Sequence, residues 1–147
     1  MFLELENTAI ALWVGTSLWA YPFLLSIHIA GLAIVVGIFS MRDLRLLGIF
    51  SSLSIRTFCY LKNLAIAGFV LNAVSGVLLF TSQASVFVTS IPFLTKISAI
   101  LVGMVLAFVI QSKLTSEVDT KTKLLAVVSL ACWTSAIIAG RLIAYIF

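Results

Sequence analysis

Charge is what this chain has least of. Only 10% of its 147 residues are Asp, Glu, Lys or Arg, against 63% hydrophobic residues, and the mean hydropathy is +1.26. So little polar surface cannot clothe a water-soluble globule, which places the chain in lipid. Cysteine is scarce too. Cys59 and Cys132 lie in or beside apolar segments near different membrane depths and lack a CxxC spacing. That argues against a metal site or a disulfide and predicts two buried packing residues. The basic residues flank the apolar segments and form no separate domain, so the net charge of +4 does not indicate nucleic acid. At the amino terminus Glu4 and Glu6 precede any basic residue, unlike a secretory signal, and no cleavage is expected.

Long apolar runs are what the chain does have. One helical crossing of a ~30 Å hydrocarbon core takes roughly 20 residues, and about four such stretches are present. The runs are continuous rather than alternating, so they predict helices and not the strands of a barrel. The predicted fold is all-α: an integral membrane four-helix bundle forming a single membrane domain. An interfacial helix over 7–19 precedes it, because Ile10, Trp13, Val14 and Leu18 return at helical spacing and Asn7 or Thr8 can cap its start. The crossings are predicted over 21–41, 60–81, 92–111 and 124–145. The first ends at Arg42, Asp43 and Arg45, with Gly48 as a helix stop. Trp19, Tyr21, Tyr145 and Phe147 suit the headgroup level. Seven of the nine basic residues fall in 42–62 and 113–123. This bias puts those segments in the cytoplasm and both termini outside, with 82–91 an outer loop and 111–123 a polar hairpin connector.

Three ionisable residues sit within the apolar stretches: His28, Lys96 and Arg141. An ionisable group in hydrocarbon is read as functional unless a partner or snorkelling explains it. Lys96 and Arg141 have stems long enough to snorkel. His28, about eight residues in and so roughly 12 Å deep by helical rise, does not. Its imidazole needs an interhelical hydrogen bond, water or a ligand. A neutral imidazole between helices suits haem iron, and the two propionates call for cations, which Lys96 and Arg141 supply one to two turns nearer the surface. The expected site is therefore haem b, with His28 as metal ligand and Lys96 and Arg141 at the propionates. Small residues allow a macrocycle or a neighbouring helix to approach: Ala30 and Gly31, then Gly68, Asn72 and Gly76, then Cys132, Ala136 and Gly140. Asn72 is placed to bond across helices or to reach the ligand, and Trp133 is expected in the core. With one histidine the iron is five-coordinate, takes another sixth ligand such as Met104, or lies at a subunit interface.

The run Trp19, Tyr21, Pro22, His28, Gly31, Gly37 and Asp43 to Gly48 resembles a family of small bacterial inner-membrane proteins with a W-x-Y-P…H-x-x-G…DLRLLG signature. Pro92, Phe93 and Lys96, and Gly140, Arg141, Ala144 and Tyr145, are similar to that family as well, so the likeness covers nearly the whole chain. More distantly the chain is similar to copper-resistance D proteins, HemJ-type protoporphyrinogen oxidases and small b-type cytochromes. The resemblance implies a four-helix scaffold in the bacterial inner membrane carrying haem b through His28. The additional histidines of two-haem cytochromes are missing.

Two alternatives stand beside haem binding. One is a non-enzymatic scaffold or accessory subunit that forms a homo-oligomer or joins a larger membrane complex through its small-residue stripes. The other is a small-solute transporter, disfavoured because no paired intramembrane carboxylates, inverted repeat or interrupted helix is found.

Overall fold

The structure, a computed structural model, describes residues 1–114 and 118–145. It is all-helical among these residues: α1 (Phe2–Glu6), α2 (Ala9–Thr16), α3 (Ala20–Leu46), α4 (Ile55–Thr81), α5 (Ala84–Thr89), α6 (Ile91–Lys113) and α7 (Thr120–Ile143). Four of them, α3, α4, α6 and α7, are long and apolar enough to cross a membrane. Their polarity is inverted relative to a soluble protein. Arg42, Asp43, Asn72, Ser75 and Ser129 are buried while Leu101, Val105 and Phe108 are exposed. Lipid as the surrounding solvent accounts for that inversion, because it favours apolar side chains outside and forces polar groups to find partners within.

Every crossing begins or ends a few residues away from its predicted boundary. The first extends to Leu46, past Arg42, Asp43 and Arg45, because charged residues that find partners do not stop a helix. It ends instead at Gly48, the predicted stop, whose φ is +91°. Gly48 N–H donates to the Arg45 carbonyl and Ile49 N–H to the Leu44 carbonyl, both at 3.1 Å, the bonding pattern of a Schellman end. The second helix starts five residues before Tyr60, at Ile55. At the head of α7 the Asp119 carboxylate accepts from both Thr122 N–H and Thr122 Oγ1, at 2.8 Å each. Residues 115–117 of the predicted hairpin connector, and Phe147 of the aromatic belt, lie outside the described residues.

Other expectations need correction. The short helix predicted over 7–19 is present as α2 but shortened to Ala9–Thr16, and a separate helix, α1, precedes it. Thr8 caps α2 by accepting from Ala11 N–H, but the chain turns extended at Ser17, whose hydroxyl accepts from Ala20 N–H at the start of α3. The segment 82–91, predicted as a loop, contains a helix of its own, α5. Cys132 is half-buried, but Cys59 is exposed rather than packed. On a membrane helix the outer face is itself apolar, so a thiol loses little by remaining there.

The chain forms two compact units, Met1–Val35 with Leu64–Ser90, and Val36–Asn63 with Ile91–Phe147. In the first, α1 is tied to α5 by Glu6, whose Oε1 accepts from Ser85 N–H and Ser85 Oγ, both at 2.7 Å. These bonds hold the Glu6 carboxyl below its ordinary range. A depressed folded pKa gives a contribution that is fully present above the unfolded carboxylate value of about 4.3 and lost as pH falls through the folded value. The protection of the Ser85 amide relative to its intrinsic exchange rate is therefore expected to hold from neutral pH down to about pH 4.3 and to fall below it. Glu6→Gln, whose amide oxygen still accepts but carries no charge, should give weaker, pH-independent protection. Protection that survives at pH 2 would show that the tie does not hold α5. In the second unit, Leu46, Phe58, Ile110, Leu114 and Ala126 form a buried apolar cluster.

Candidate functional site

His28 lies on α3 within the first unit, half-buried against α4. Glycine makes that position possible. A Cβ at Gly76 would stand 3.0 Å from the imidazole Cε1, and one at Gly31 would stand 2.8 Å from both the Asn72 backbone nitrogen and the Gly68 carbonyl oxygen. The helices therefore approach to backbone contact at Gly31 and Gly68, which is where the sequence left room for a macrocycle or a neighbouring helix. Here the neighbouring helix takes it.

The polar contacts are reciprocal. His28 Nδ1 lies 2.9 Å from the Asn72 carbonyl oxygen. A carbonyl only accepts, so Nδ1 carries the proton and donates it. The Ser75 hydroxyl stands 3.2 Å from the same nitrogen and donates back to the Leu71 carbonyl at 2.7 Å. In return Asn72 Nδ2 donates to the His28 carbonyl at 2.7 Å. Side chain meets backbone in both directions, so neither helix slides without breaking both bonds. The Asn72 amide also lies 3.3 Å from Nδ1 and 3.5 Å from Nε2.

This arrangement selects a tautomer. With the proton on Nδ1, Nε2 bears the in-plane lone pair. An imidazole oriented by an Nδ1–H bond to a backbone carbonyl is the form in which histidine ligates a metal. Ser75, three residues after Asn72 on α4, is a member of the site that the sequence reading missed. The signal was available, because positions 72, 75 and 76 share a helix face.

Lys96 and Arg141 belong to the second unit. The Lys96 stem passes Gly140, where a Cβ would meet its Cδ, Cε and Nζ at 3.6 Å. Arg141 is exposed and turns to its own helix end: Nη2 donates to the Tyr145 hydroxyl at 3.2 Å, and the guanidinium lies 5.2 Å from the Tyr145 ring centre. An arginine stretched along an aromatic at the end of a crossing matches the snorkelling account of that residue. Trp133 is in the core, as expected, 1% exposed and stacked on Phe39 at 5.7 Å. Among the described residues no group of three or more His, Cys, Asp or Glu side chains is gathered to hold a metal ion. That does not bear against haem, whose porphyrin brings four nitrogens and needs only an axial ligand.

No family model, curated protein or solved structure matches the chain.

Proposed function

We propose that this is a haem b-binding protein of the bacterial inner membrane with a redox or porphyrin-related role, His28 Nε2 being the iron ligand. The single observation that supports the reading is the Nδ1–H bond from His28 to the Asn72 carbonyl, which fixes the ligating tautomer and ring orientation. Asn72 and Ser75 hold the imidazole, and Gly76 leaves space for it. When bound, the haem supplies a one-electron redox centre. The propionates are assigned to Lys96 and Arg141 from their positions in the sequence, and the both-termini-outside orientation from the basic-residue bias belongs to the same proposal.

A second reading is favoured by the other half of the same geometry. The Asn72 amide bond to the His28 carbonyl makes the pair a helix–helix clasp, which is what a non-enzymatic scaffold or complex subunit needs. One experiment separates the two. Protein purified after expression with ample haem should show a Soret band and reduced-minus-oxidised features, and His28→Ala should lose the band while remaining inserted in the membrane. Arg141→Ala should weaken haem retention without changing the axial-ligation spectrum. A colourless wild-type protein would refute haem binding and leave the clasp as the role of His28.

A further inference from the structure

A second polar cluster, independent of His28 and of haem, lies entirely within the second unit. Arg42 and Asp43 are 1% and 0% exposed. Arg42 Nε and Nη2 both donate to one carboxylate oxygen, Asp43 Oδ1, at 3.0 and 2.8 Å, and Nη1 donates to the Ala107 carbonyl at 3.0 Å. The guanidinium is thus spent on one oxygen of the carboxylate and one backbone carbonyl.

Beside that pair stand two more buried polar groups. Ser129, 0% exposed, is close enough to Asp43 to act on its carboxylate. Trp133 follows it by one turn on α7 and stacks on Phe39, which precedes Asp43 by one turn on α3. The two helices therefore match turn for turn, and Gly103 on α6 closes the third side, where a Cβ would come within 3.2 Å of Trp133 Cε2, the carbon bonded to Nε1. Four buried side-chain polar atoms among the described residues have no hydrogen-bond partner, and three of them are here: Asp43 Oδ2, Ser129 Oγ and Trp133 Nε1. Native interiors leave few such atoms unmatched, so three in neighbouring turns point to a shared partner.

The chemistry of the three atoms specifies that partner. The indole nitrogen only donates, the ionised carboxylate only accepts, and the serine hydroxyl does either. The partner must therefore accept and donate at once. It must also be neutral, because a cation would meet the Arg42 guanidinium and an anion the Asp43 carboxylate. Ser129 donating straight to Asp43 Oδ2 would satisfy two of the atoms but leave the indole N–H unmatched. We infer that a single bound water molecule joins Trp133 Nε1, Ser129 Oγ and Asp43 Oδ2, accepting from the indole and donating to the carboxylate. It links α3 to α7 on the face of the carboxylate that Arg42 does not use.

The test uses full-length protein labelled with ¹⁵N at its indole nitrogens, in lipid nanodiscs. The chain has three tryptophans, and Trp133→Phe identifies the resonance of interest. Trp133 N–H is expected to give a cross-peak at the water frequency with the sign of a long-lived bound water, and Asp43→Asn to shift that resonance. The cross-peak should persist in Ser129→Ala, or in Ser129→Gly if the alanine variant does not fold. Its loss there would mean that the signal was relayed through the serine hydroxyl, and would overturn the inference. Absence of the cross-peak in the wild-type protein, the measurement least open to misfolding, would overturn it outright.

Discussion

Arg42→Leu is expected to destabilise the protein by about 3–5 kcal/mol, the cost of stranding one member of a buried ion pair. The residue is 1% exposed and its partner Asp43 0%. Removing the guanidinium takes both hydrogen bonds from Oδ1 and the one from the Ala107 carbonyl. Bulk water does not replace those bonds as it would at a surface pair, where the same change costs about 0–1 kcal/mol. The double variant Arg42→Leu/Asp43→Leu should recover most of the loss, because neither charge then has to be desolvated. Unfolding in mixed micelles titrated with a denaturing detergent measures all three proteins. A single variant as stable as wild type, or a double variant no better than the single, would refute the buried pair.

Gly31→Leu has the second largest expected effect. Even the Cβ alone would stand 2.8 Å from two backbone atoms of α4, the Asn72 nitrogen and the Gly68 carbonyl oxygen. Backbone does not swing aside as a side chain does, so the helices must part. Parting stretches the His28–Asn72 bonds in both directions, which lie one turn away. Overpacking of this kind costs about 1–3 kcal/mol, with Gly31→Ala toward the lower end and leucine at or beyond the upper one. Gly37, on the same helix, has nothing within 4 Å of the position a Cβ would take. Gly37→Ala should therefore be neutral or slightly stabilising, by up to about 1 kcal/mol from helix propensity. Equal effects at Gly31 and Gly37 would mean that the close approach is not made.

The candidate site was partly legible. An imidazole about 12 Å into an apolar run by helical rise had to have a partner, and Asn72 was placed to bond across helices or to reach a ligand. Which atoms would pair was not legible, because the pairing depends on how far each helix is rotated about its axis. Arg42 and Asp43 were misplaced for a related reason. Adjacent opposite charges after an apolar run look like the wet end of a crossing. They are buried because α3 continues to Leu46 and because the Ala107 carbonyl and Ser129 face them from helices more than sixty residues along the chain.

The amino-acid sequence alone determined that this is a chain of four apolar helices, that Gly48 could stop the first, and that Asn7 or Thr8 could cap a short helix ahead of it. These features are local: hydropathy summed along a segment, a glycine free to take φ of +91° at position 48, a hydroxyl three residues from an unpaired N–H. Only the tertiary structure decided that His28 and Asn72 clasp each other and that Arg42 and Asp43 are enclosed beside Ser129 and Trp133. Hydropathy varies along one dimension, whereas a buried polar atom is satisfied only by a partner at the right height and rotation on another helix. In lipid, where bulk water does not replace a missed bond, that alignment is what the packing has to achieve.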